Sequence, residues 1–468
     1  MQEKFYLTTA IDYTNDKPHL GHALEKIQAD VLARYYRNKL GKENVWFLTG
    51  TDEHGVKIAR AAEKAGKSPR EFVDEVAPKF IALKEALNLS FDQFIRTTDE
   101  KIHYPGVEKI WNTLLANGDL EKRTYRGLYC VGHEAFVTEK DLVDGKCSDH
   151  GQVPEVIEEE NWFFKLSKYT GQIKEKIQKG ELLILPETRR NEILSLLERG
   201  LEDVSFSRPR KDLEWGIQVP NDPEQTIYVW ADALTNYISA IGYGRNEDYK
   251  KWWPAEAQII GKDILRFHAA IWPGMLIAAE LPLPKKLLVH GFITVDGQKM
   301  SKTIGNVVDP VEIAKKYGSD ALRYYLLKEI PSGEDGDFSE KKFEALYNGD
   351  LANGLGNFVS RVKKLAQNEG IGEENPGEFS AQVEELKTKL DGDIRNFKLN
   401  EALFKIWELI SRGDKYMNDK EPWKTKDKQT IANLLYLANR ITEITEPFLP
   451  GASEIAKSGG SQALFPRI

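Results

Sequence analysis

The stretch FYLTTAIDYTNDKPHLGHALEKIQAD, residues 5–30, predicts a buried strand followed directly by a helix. Its first part, FYLTTAI (5–11), is apolar and rich in β-branched and aromatic residues, and polar loop residues follow it. Pro18 then favours a helix entry, and Leu24 and Ile27 recur at helical spacing. A strand that feeds a helix in this way is the first unit of an α/β fold.

Three later segments predict further buried strands: VWFLTG (45–50), AQIIG (257–261) and KLLVHGFITV (286–295). Strands that alternate with helical segments favour a parallel, doubly wound sheet of the Rossmann type. Ligands of such sheets bind at the carboxyl ends of the strands. Polar residues follow each predicted strand, so we expect a ligand site at that edge of the sheet.

The rest of the chain differs from the predicted sheet in its pattern of apolar and polar residues. An insertion interrupts the strand pattern and carries both cysteines, and the chain after residue 350 shows only helical periodicity, which predicts a helical bundle. The predicted domains are a first half of the sheet domain at 1–117, an inserted connective domain at 118–225, a second half of the sheet domain at 226–295, a loop region at 296–349, and a helical domain at 350–468.

Composition narrows the class of protein. The 468 residues carry a net charge of −8, which excludes a uniformly basic nucleic-acid coat but not local patches of cations. Two cysteines cannot form a disulfide framework. No apolar run reaches the roughly 18 residues of a membrane span, and the N-terminus resembles no leader. We therefore expect a soluble cytoplasmic protein without a membrane partner.

His19 and His22 stand three positions apart at the predicted helix start, so both imidazoles can face one ligand. The helix N-terminus adds backbone N–H groups that suit an anion such as phosphate. Gly21 has no side chain and allows a ring or a phosphate to approach the backbone. The tetrapeptide alone is equally compatible with two surface histidines.

A second motif, GQKMSKTIGN (297–306), places Lys299 and Lys302 three positions apart between Gly297 and Gly305. Lysine is a compact charge on a flexible stem, which suits a mobile polyphosphate. Alone, the segment would be a solvated turn. A chance match is a poor explanation when HLGH precedes it by about 280 residues in the same chain.

HLGH together with KMSKT resembles the signature pair of class I aminoacyl-tRNA synthetases. The stretches TTAIDYTNDKPHLGH, FLTGTDEHGVKI, YVWADALTNYI, IIGKDILRFHAAIWPGML and KMSKTIGNVVDP are similar to those of the methionyl-tRNA synthetase family. This resemblance runs from residue 5 to the terminal LFPRI, which is nearly the whole chain.

The resemblance implies that ATP and Mg²⁺ activate methionine to an adenylate, with loss of pyrophosphate, before transfer to the 3′ end of tRNA(Met), including the initiator. Such reactions depend mainly on positioning and charge stabilisation. The implied catalytic residues are His19, His22, Lys299 and Lys302. The implied ATP-binding residues are His19, Gly21, His22, Lys262, Asp263, Lys299 and Lys302.

The same resemblance implies an apolar and aromatic methionine pocket. Asp52 suits the substrate ammonium, and Arg208 matches a family arginine near the carboxylate side. The implied pocket is Ala10, Ile11, Tyr13, Asp52, Arg208, Trp230, Ala233, Leu234, Tyr237, Ile264 and His268. Sulfur–aromatic contacts of about 0.3–1.5 kcal/mol favour a thioether. Such a pocket separates analogues that differ by one methylene by only about 1–3 kcal/mol, so homocysteine is a competitor.

The insertion contains two short Cys/His pairs, Cys130-x-x-His133 and Cys147-x-x-His150. Four such ligands favour one tetrahedral structural Zn²⁺. The family commonly has cysteine where His133 stands, and the alternative is a degenerate knuckle that folds without metal. Because the insertion lies away from the strand ends, neither alternative makes the metal catalytic.

The C-terminal helices would, by resemblance, recognise the CAU anticodon. The fit is looser here, because Asp414 and Asn418 stand where the family commonly has Asn and Arg. An aspartate can accept from a cytosine amino group but repels phosphate. Trp423 stacks on a base or packs the bundle, and the sequence favours neither.

Because no tRNA-binding and dimerising module follows LFPRI, we expect a monomer. Two alternatives remain. A sister synthetase for leucine, valine or isoleucine usually has a larger editing insertion than 118–225, and the cysteine enzyme would place zinc ligands in its pocket. A non-catalytic RNA-binding paralogue would be expected to lose the histidines or the loop lysines, which are all present here.

Overall fold

The computed structural model describes residues 3–132, 135–137, 139–149, 151–300, 305–458 and 463–468. Its strands are β1 (Phe5–Thr9), β2 (Asp12–Tyr13), β3 (Val45–Asp52), β4 (Gln93–Arg96), β5 (Leu120–Cys130), β6 (Ala135–Val137), β7 (Leu142–Val143), β8 (Lys146–Cys147), β9 (Glu155–Phe164), β10 (Leu183–Leu185), β11 (Val204–Ser205), β12 (Ser207–Pro209), β13 (Gln218–Val219), β14 (Asp222–Ile227), β15 (Ala257–Gly261), β16 (Lys286–His290), β17 (Ile293–Val295), β18 (Gln298–Lys299) and β19 (Gly336–Phe338).

The α-helices are α1 (Leu20–Leu40), α2 (Val56–Lys64), α3 (Pro69–Ile81), α4 (Leu83–Ala86), α5 (Tyr104–Ala116), α6 (Thr170–Gln178), α7 (Glu187–Glu198), α8 (Val229–Leu234), α9 (Asn236–Ser239), α10 (Tyr249–Trp252), α11 (Trp272–Ala278), α12 (Pro310–Tyr317), α13 (Ser319–Glu329), α14 (Glu340–Leu346), α15 (Asn357–Asn368), α16 (Phe379–Arg395), α17 (Leu399–Lys420), α18 (Pro422–Thr425), α19 (Lys428–Thr445) and α20 (Pro450–Lys457). A π-helical segment, Tyr347–Gly356, leads into α15. None of the helices in the described ranges has the length and apolar character needed to cross a bilayer.

The chain divides into two compact units, each assembled from separate stretches. Unit 1 contains residues 1–17, 42–82 and 91–289, and unit 2 contains residues 18–41, 83–90 and 290–468. The helix that begins at the HLGH motif and the segment that carries Lys299 therefore both belong to unit 2.

Unit 1 is built around a seven-stranded sheet in which β10, β16, β15, β1, β3 and β2 follow in that order and β4 also pairs with β3. The pairings of β1 with β15 and with β3 are parallel. The chain proceeds from β1 to β3 on one side and later returns to β15 on the other, so the strand order switches direction at β1. The crevice at such a switch point is where ligands bind in open α/β sheets.

The predicted α/β fold is confirmed, with one correction to the strands. KLLVHGFITV was predicted as one strand, but the structure ends β16 at His290 and begins β17 in a different, three-stranded sheet of unit 2. The break falls at Gly291, where an added Cβ would lie 2.2 Å from the backbone of Glu334. This close approach needs a glycine and separates the two strands.

The segment that follows α5 forms a different kind of structure within unit 1. Strands β11, β9, β5 and β6 make a four-stranded sheet with antiparallel pairings, and β7 and β8 form a short hairpin beside the cysteines. From α15 onward the described residues of unit 2 form helices and loops, as the periodicity after about residue 350 predicts. Its core includes α1, where the buried carboxylate of Asp30 pairs with the buried guanidinium of Arg323 at 2.8 Å.

Candidate active site

The start of α1 is organised by its two histidines. His19 is the N-cap residue, and its Nδ1 accepts the backbone N–H of Gly21 at 3.1 Å. The backbone N–H of His19 in turn donates to Nδ1 of His22 at 3.1 Å. Because a backbone N–H can only donate, neither Nδ1 carries a proton, and a neutral imidazole then carries its proton on Nε2. Both rings therefore present an N–H donor.

The two imidazoles lie face to face, with ring centroids 3.9 Å apart and planes inclined by 21°. Burial, together with the electrostatic influence of His19, Lys26 and His290, lowers the pKa of His22 well below its ordinary value. Two stacked rings cannot both be charged without strong repulsion. His22 is thus a neutral donor at pH 7, as the hydrogen bonds require.

Gly21 makes this stack possible. A Cβ added at this position would lie 2.9 Å from Cε1 of His19, which is closer than real contacts allow. Any side chain here would push the His19 ring away from the backbone N–H that it caps. The sequence suggests that Gly21 allows a ligand to approach the backbone. In the structure, Gly21 is also needed to leave room for the His19 ring.

A buried ionic group lies one turn below the histidines in α1. The carboxylate of Glu25 accepts from Nζ of Lys26 at 3.2 Å and from Nε2 of His290 at 3.2 Å. Burial by itself raises the pKa of Glu25, but Lys26 and His290 outweigh it and lower the pKa below its ordinary value. His290 belongs to unit 2 together with α1, so this ionic group is a contact within unit 2.

Lys299 lies on a tight hairpin formed by β17 and β18. Thr294 pairs with Lys299 across the hairpin, and Gly297 takes a φ of 74° in the turn. The carboxylate of Asp337 accepts from the Gly297 N–H at 2.8 Å and from the Thr294 hydroxyl at 2.6 Å, which holds the turn in place. Lys299 itself is exposed, and Lys302 lies outside the described residues.

In unit 1, the strand ends bring Tyr13 and Asp52 together. The short strand β2 runs parallel to β3, and Tyr13 pairs directly with Asp52. Both the N–H and the hydroxyl of Thr14 donate to the carbonyl of Asp52, at 3.0 and 3.1 Å. Asp52 is buried and thus held at the carboxyl end of a central strand, as predicted.

The aromatic residues predicted for the pocket are also brought together in unit 1. Trp230 stacks on Phe267 with centroids 3.8 Å apart and planes inclined by 5°. Nδ1 of His268 donates to the carbonyl of Ile264 at 3.0 Å, and Nε2 faces the hydroxyl of Tyr237 at 2.7 Å. Since Nδ1 carries the proton in neutral His268, the Tyr237 hydroxyl donates to Nε2. These contacts fix the orientation of the His268 ring and of the Tyr237 hydroxyl, two polar groups among apolar residues.

The other residues predicted for the methionine pocket also belong to unit 1. Ala10, Leu234 and Tyr237 are buried in the main hydrophobic cluster of unit 1, and the partly exposed residues packed against it include Ile11, Tyr13, Trp230 and Ile264. Ala233 is buried on α8. Lys262 and Asp263 follow β15 in a short 3₁₀ turn, with Asp263 exposed and Lys262 partly exposed.

Arg208 occupies a cage of aromatic rings. Its guanidinium carbon lies 5.2, 5.3 and 5.1 Å from the ring centroids of Tyr129, Phe136 and Tyr228. Nη1 donates to the Ser205 hydroxyl at 2.7 Å, and the side chain is buried. Tyr228 comes directly before α8, so Arg208 joins the inserted strands to the start of the helix that carries Trp230.

Cys130 and Cys147 lie in one small cluster. Both are buried, and Val137, Leu128 and Leu142 pack with them. The other two predicted ligands, His133 and His150, lie outside the described residues. Among the residues that are described, no group of three or more potential ligands forms a metal site.

Of the residues predicted to read the anticodon, Asp414 and Trp423 share a neighbour that the sequence did not reveal. The guanidinium of Arg361 on α15 lies 5.5 Å from the ring centroid of Trp423 and 3.7 Å from the carboxylate of Asp414 on α17. Burial raises the pKa of Asp414, although Arg361 opposes the shift. Asn418 is exposed on α17. Spacing along one helix could not show that Arg361 comes from another helix.

Comparison with known proteins identifies the class. A family model described as tRNA synthetases class I (M) matches residues 5–149 and 136–363. The strand-end site, the histidine pair and this match make the chain a class I aminoacyl-tRNA synthetase.

Individual relatives narrow the class to one family. A methionine–tRNA ligase of Thermotoga maritima is 43% identical over 96% of this chain and 74% of its own, and one of Brucella suis is 41% identical over 97% and 91%. A structure of Mycobacterium tuberculosis methionyl-tRNA synthetase in complex with methionyl-adenylate superposes with a TM-score of 0.91 at 38% identity, covering 97% of this chain and 93% of that one. The chain belongs to the methionine–tRNA ligase family.

Proposed function

We propose that the chain carries out the two reactions of its family on the residues described above. In the first, a carboxylate oxygen of methionine attacks the α-phosphorus of ATP, and the bond from that phosphorus to the bridging oxygen of pyrophosphate breaks. In the second, a hydroxyl at the 3′ end of tRNA(Met) attacks the methionyl carbonyl, and AMP leaves. The observation that carries this proposal is the start of α1, where the HLGH histidines stack and their Nδ1 atoms accept backbone N–H groups at the helix N-terminus.

The phosphates of ATP are assigned to the cations and donors around HLGH and the lysine motif. His19 and His22 donate to phosphate oxygens, with the N-terminus of α1 adding partial positive charge. Lys299 and Lys302 stabilise the departing pyrophosphate, while Lys262 and Asp263 bind ATP from the end of β15. Mg²⁺ accompanies ATP and neutralises charge on the pyrophosphate. No side-chain nucleophile is required, since positioning and charge stabilisation carry such reactions.

Methionine is assigned to the aromatic surface of unit 1. Asp52 binds the substrate ammonium next to Tyr13, its pairing partner across β2 and β3. Trp230, stacked on Phe267, and the Tyr237–His268 pair contact the thioether. Ala10, Ile11, Ala233, Leu234 and Ile264 supply the apolar remainder of the pocket. The contact of Arg208 with the substrate carboxylate stays a prediction, because its guanidinium is enclosed by three rings.

The test of this assignment is Lys302→Ala, measured by methionine-dependent ATP–pyrophosphate exchange. Removing one charge-stabilising group costs about 10²–10³-fold in rate. We expect that loss in exchange, with the Kd of methionine changed less than about threefold. Lys315→Ala removes an exposed lysine that pairs with Glu312 on the same helix and serves as the matched control. Near-normal exchange by Lys302→Ala would contradict the assignment.

ATP–pyrophosphate exchange also distinguishes the proposed function from the two alternative functions. A sister synthetase would respond to leucine, valine, isoleucine or cysteine rather than to methionine when all twenty amino acids are compared. A non-catalytic RNA-binding paralogue would form no adenylate with any of them.

One structural Zn²⁺ is proposed for the inserted segment, held by Cys130, His133, Cys147 and His150. The two thiols fit this group, since they share one buried cluster beside the β7–β8 hairpin. A structural zinc supplies folding free energy where a small segment has little core of its own. Metal analysis should give one zinc per chain, and Cys147→Ser should lose it. Much less than one zinc in the wild-type protein would refute the site.

The helical domain is proposed to read the CAU anticodon through Asp414, Asn418 and Trp423, with Arg361 beside Trp423 as an additional cation. A stacked aromatic residue and a guanidinium suit unpaired bases and their phosphates. Charging of elongator and initiator tRNA(Met) should fall sharply when CAU is altered. We further propose a monomer that works in the cytoplasm, where translation brings its substrates together. Light scattering of the purified protein tests the monomer.

A further inference from the structure

A buried group of three charged or titratable side chains in unit 1 has no role in the assignments above. Oδ2 of Asp232 lies 2.7 Å from Nδ1 of His54, and Oδ1 lies 2.6 Å from Nε2 of His103. Nδ1 of His103 continues to the hydroxyl of Ser239 at 2.8 Å. Asp232 and His103 are 0% exposed and His54 is 2% exposed. Both carboxylate oxygens are thus occupied by imidazoles.

The three residues come from three segments of the chain, and two of these segments also carry residues of the proposed methionine pocket. His54 follows β3 and stands two residues after Asp52. Asp232 lies on α8 between Trp230 and Ala233. His103 comes directly before α5. The Asp232 carboxylate therefore connects the end of β3, where Asp52 lies, to α8, which carries Trp230.

The carboxylate is held in its charged form. Burial by itself raises the pKa of Asp232, but His54 and His103 outweigh it, and the pKa lies below its ordinary value. A buried charge of this kind costs desolvation free energy and tolerates only a narrow geometry for its partners. Its two imidazole bonds therefore fix the distance between α8 and the end of β3 more sharply than apolar packing would.

The backbone next to this group is also closely packed. A Cβ added at Gly106, in the first turn of α5, would lie 2.5 Å from Cβ of Ser239 on α9. The elements that carry His103 and Ser239 therefore approach to backbone contact and leave little room for movement. Since α9 directly follows α8, this contact supports the same wall of the pocket.

We propose that Asp232, acting through His54 and His103, is a positioning residue of the methionine pocket. It sets α8, with Trp230, Ala233 and Leu234, at a fixed distance from Asp52, so that the ammonium and the thioether of one substrate are bound together. This inference rests on the proposed assignment of the pocket to methionine. It concerns substrate fit and leaves the phosphate chemistry to other residues.

The test is Asp232→Asn, which keeps the shape but removes the charge and one acceptor. We expect the KM and the Kd of methionine to rise about 10- to 100-fold, which is similar to the effect of a misfit of one methylene in an apolar pocket. The kcat at saturating methionine and the KM of ATP should change less than about threefold, since a lost positioning contact weakens ground state and transition state alike. Discrimination against homocysteine should fall as well.

The matched control is Asp222→Asn. Asp222 is a partly exposed carboxylate of the same unit that accepts from Nε1 of Trp162 and from Lys122, outside the proposed pocket. A general loss of stability would affect both variants, whereas only Asp232→Asn should change the KM of methionine selectively. An unchanged Kd of methionine in folded Asp232→Asn overturns the proposal.

A second pair of variants decides the question if Asp232→Asn is insoluble. His54→Asn can place an amide N–H near the position of Nδ1, whereas His54→Leu removes the donor. The proposal requires the Asn variant to bind methionine at least about 10-fold more tightly than the Leu variant, and equal affinities overturn it. Absence of methionine-dependent exchange in the wild-type protein would instead refute the proposed function, while direct binding of methionine still tests the role of Asp232.

Discussion

Two pairs of histidines in this chain use their rings in opposite ways. His19 and His22 accept backbone N–H groups with Nδ1 and stack on each other at a helix start. His54 and His103 instead face both oxygens of a buried carboxylate. The first pair is adapted to present N–H donors to a ligand, and the second is adapted to hold protein elements in place.

The difference shows what decides the role of a histidine. At the start of α1, backbone donors fix the tautomer with the proton on Nε2, and burial, assisted by neighbouring groups, lowers the pKa of His22 and keeps its ring neutral. Around Asp232, the carboxylate fixes the orientation of the His54 and His103 rings. Their N–H groups are therefore bonded within the protein. Substitutions at the two pairs should therefore separate stability from catalysis.

The largest effect is expected for His103→Leu, which leaves one oxygen of a buried carboxylate without its donor. Breaking a buried pair in this way costs about 3–5 kcal/mol in the free energy of unfolding. The loss should appear in urea denaturation as a lower midpoint for one transition. His103→Gln, whose amide can replace Nε2 as donor, should lose much less, and equal losses in both variants would contradict the role assigned to this bond.

The next effect is expected for His22→Asn. The Asn carbonyl oxygen can still accept the His19 N–H, so the helix start is preserved, but the Nε2–H donor is lost. The rate of ATP–pyrophosphate exchange should fall about 10²–10³-fold, with the urea midpoint and the Kd of methionine nearly unchanged. A variant that lost stability but kept its exchange rate would reverse the comparison between the two pairs.

The smallest effect concerns pH. The pKa of His22 in the folded chain lies below the unfolded value of about 6.5. As the pH falls below about 6.5, the unfolded chain binds a proton that the folded chain does not, so the free energy of unfolding decreases toward the lowered pKa, by at most about 1.4 kcal/mol per pH unit. Melting temperatures at pH 7.5 and 5.5 should therefore differ more for the wild type than for His22→Asn. Equal pH dependence would show that His22 does not bind protons differently on folding.

Much of the fold and part of the site could be predicted from local pattern. The apolar segments 5–11, 45–50 and 257–261 coincide closely with β1, β3 and β15, because a buried parallel strand is a continuous apolar run. The segment KLLVHGFITV shows the limit of predicting strands from apolar runs, since its run continues past Gly291. The chain changes sheet at this residue, because the backbone of Glu334 lies too close for a side chain.

The amino-acid sequence by itself determined the class of protein, because HLGH and KMSKT are short motifs whose residues act within one helical turn or one loop. It also determined the helical C-terminal domain, which periodicity encodes. Only the tertiary structure decided that Asp232 binds His54 and His103, and that Arg361 lies against Trp423. Those contacts join residues 50 or more positions apart, and their free energy depends on burial and hydrogen-bond geometry that no local spacing records.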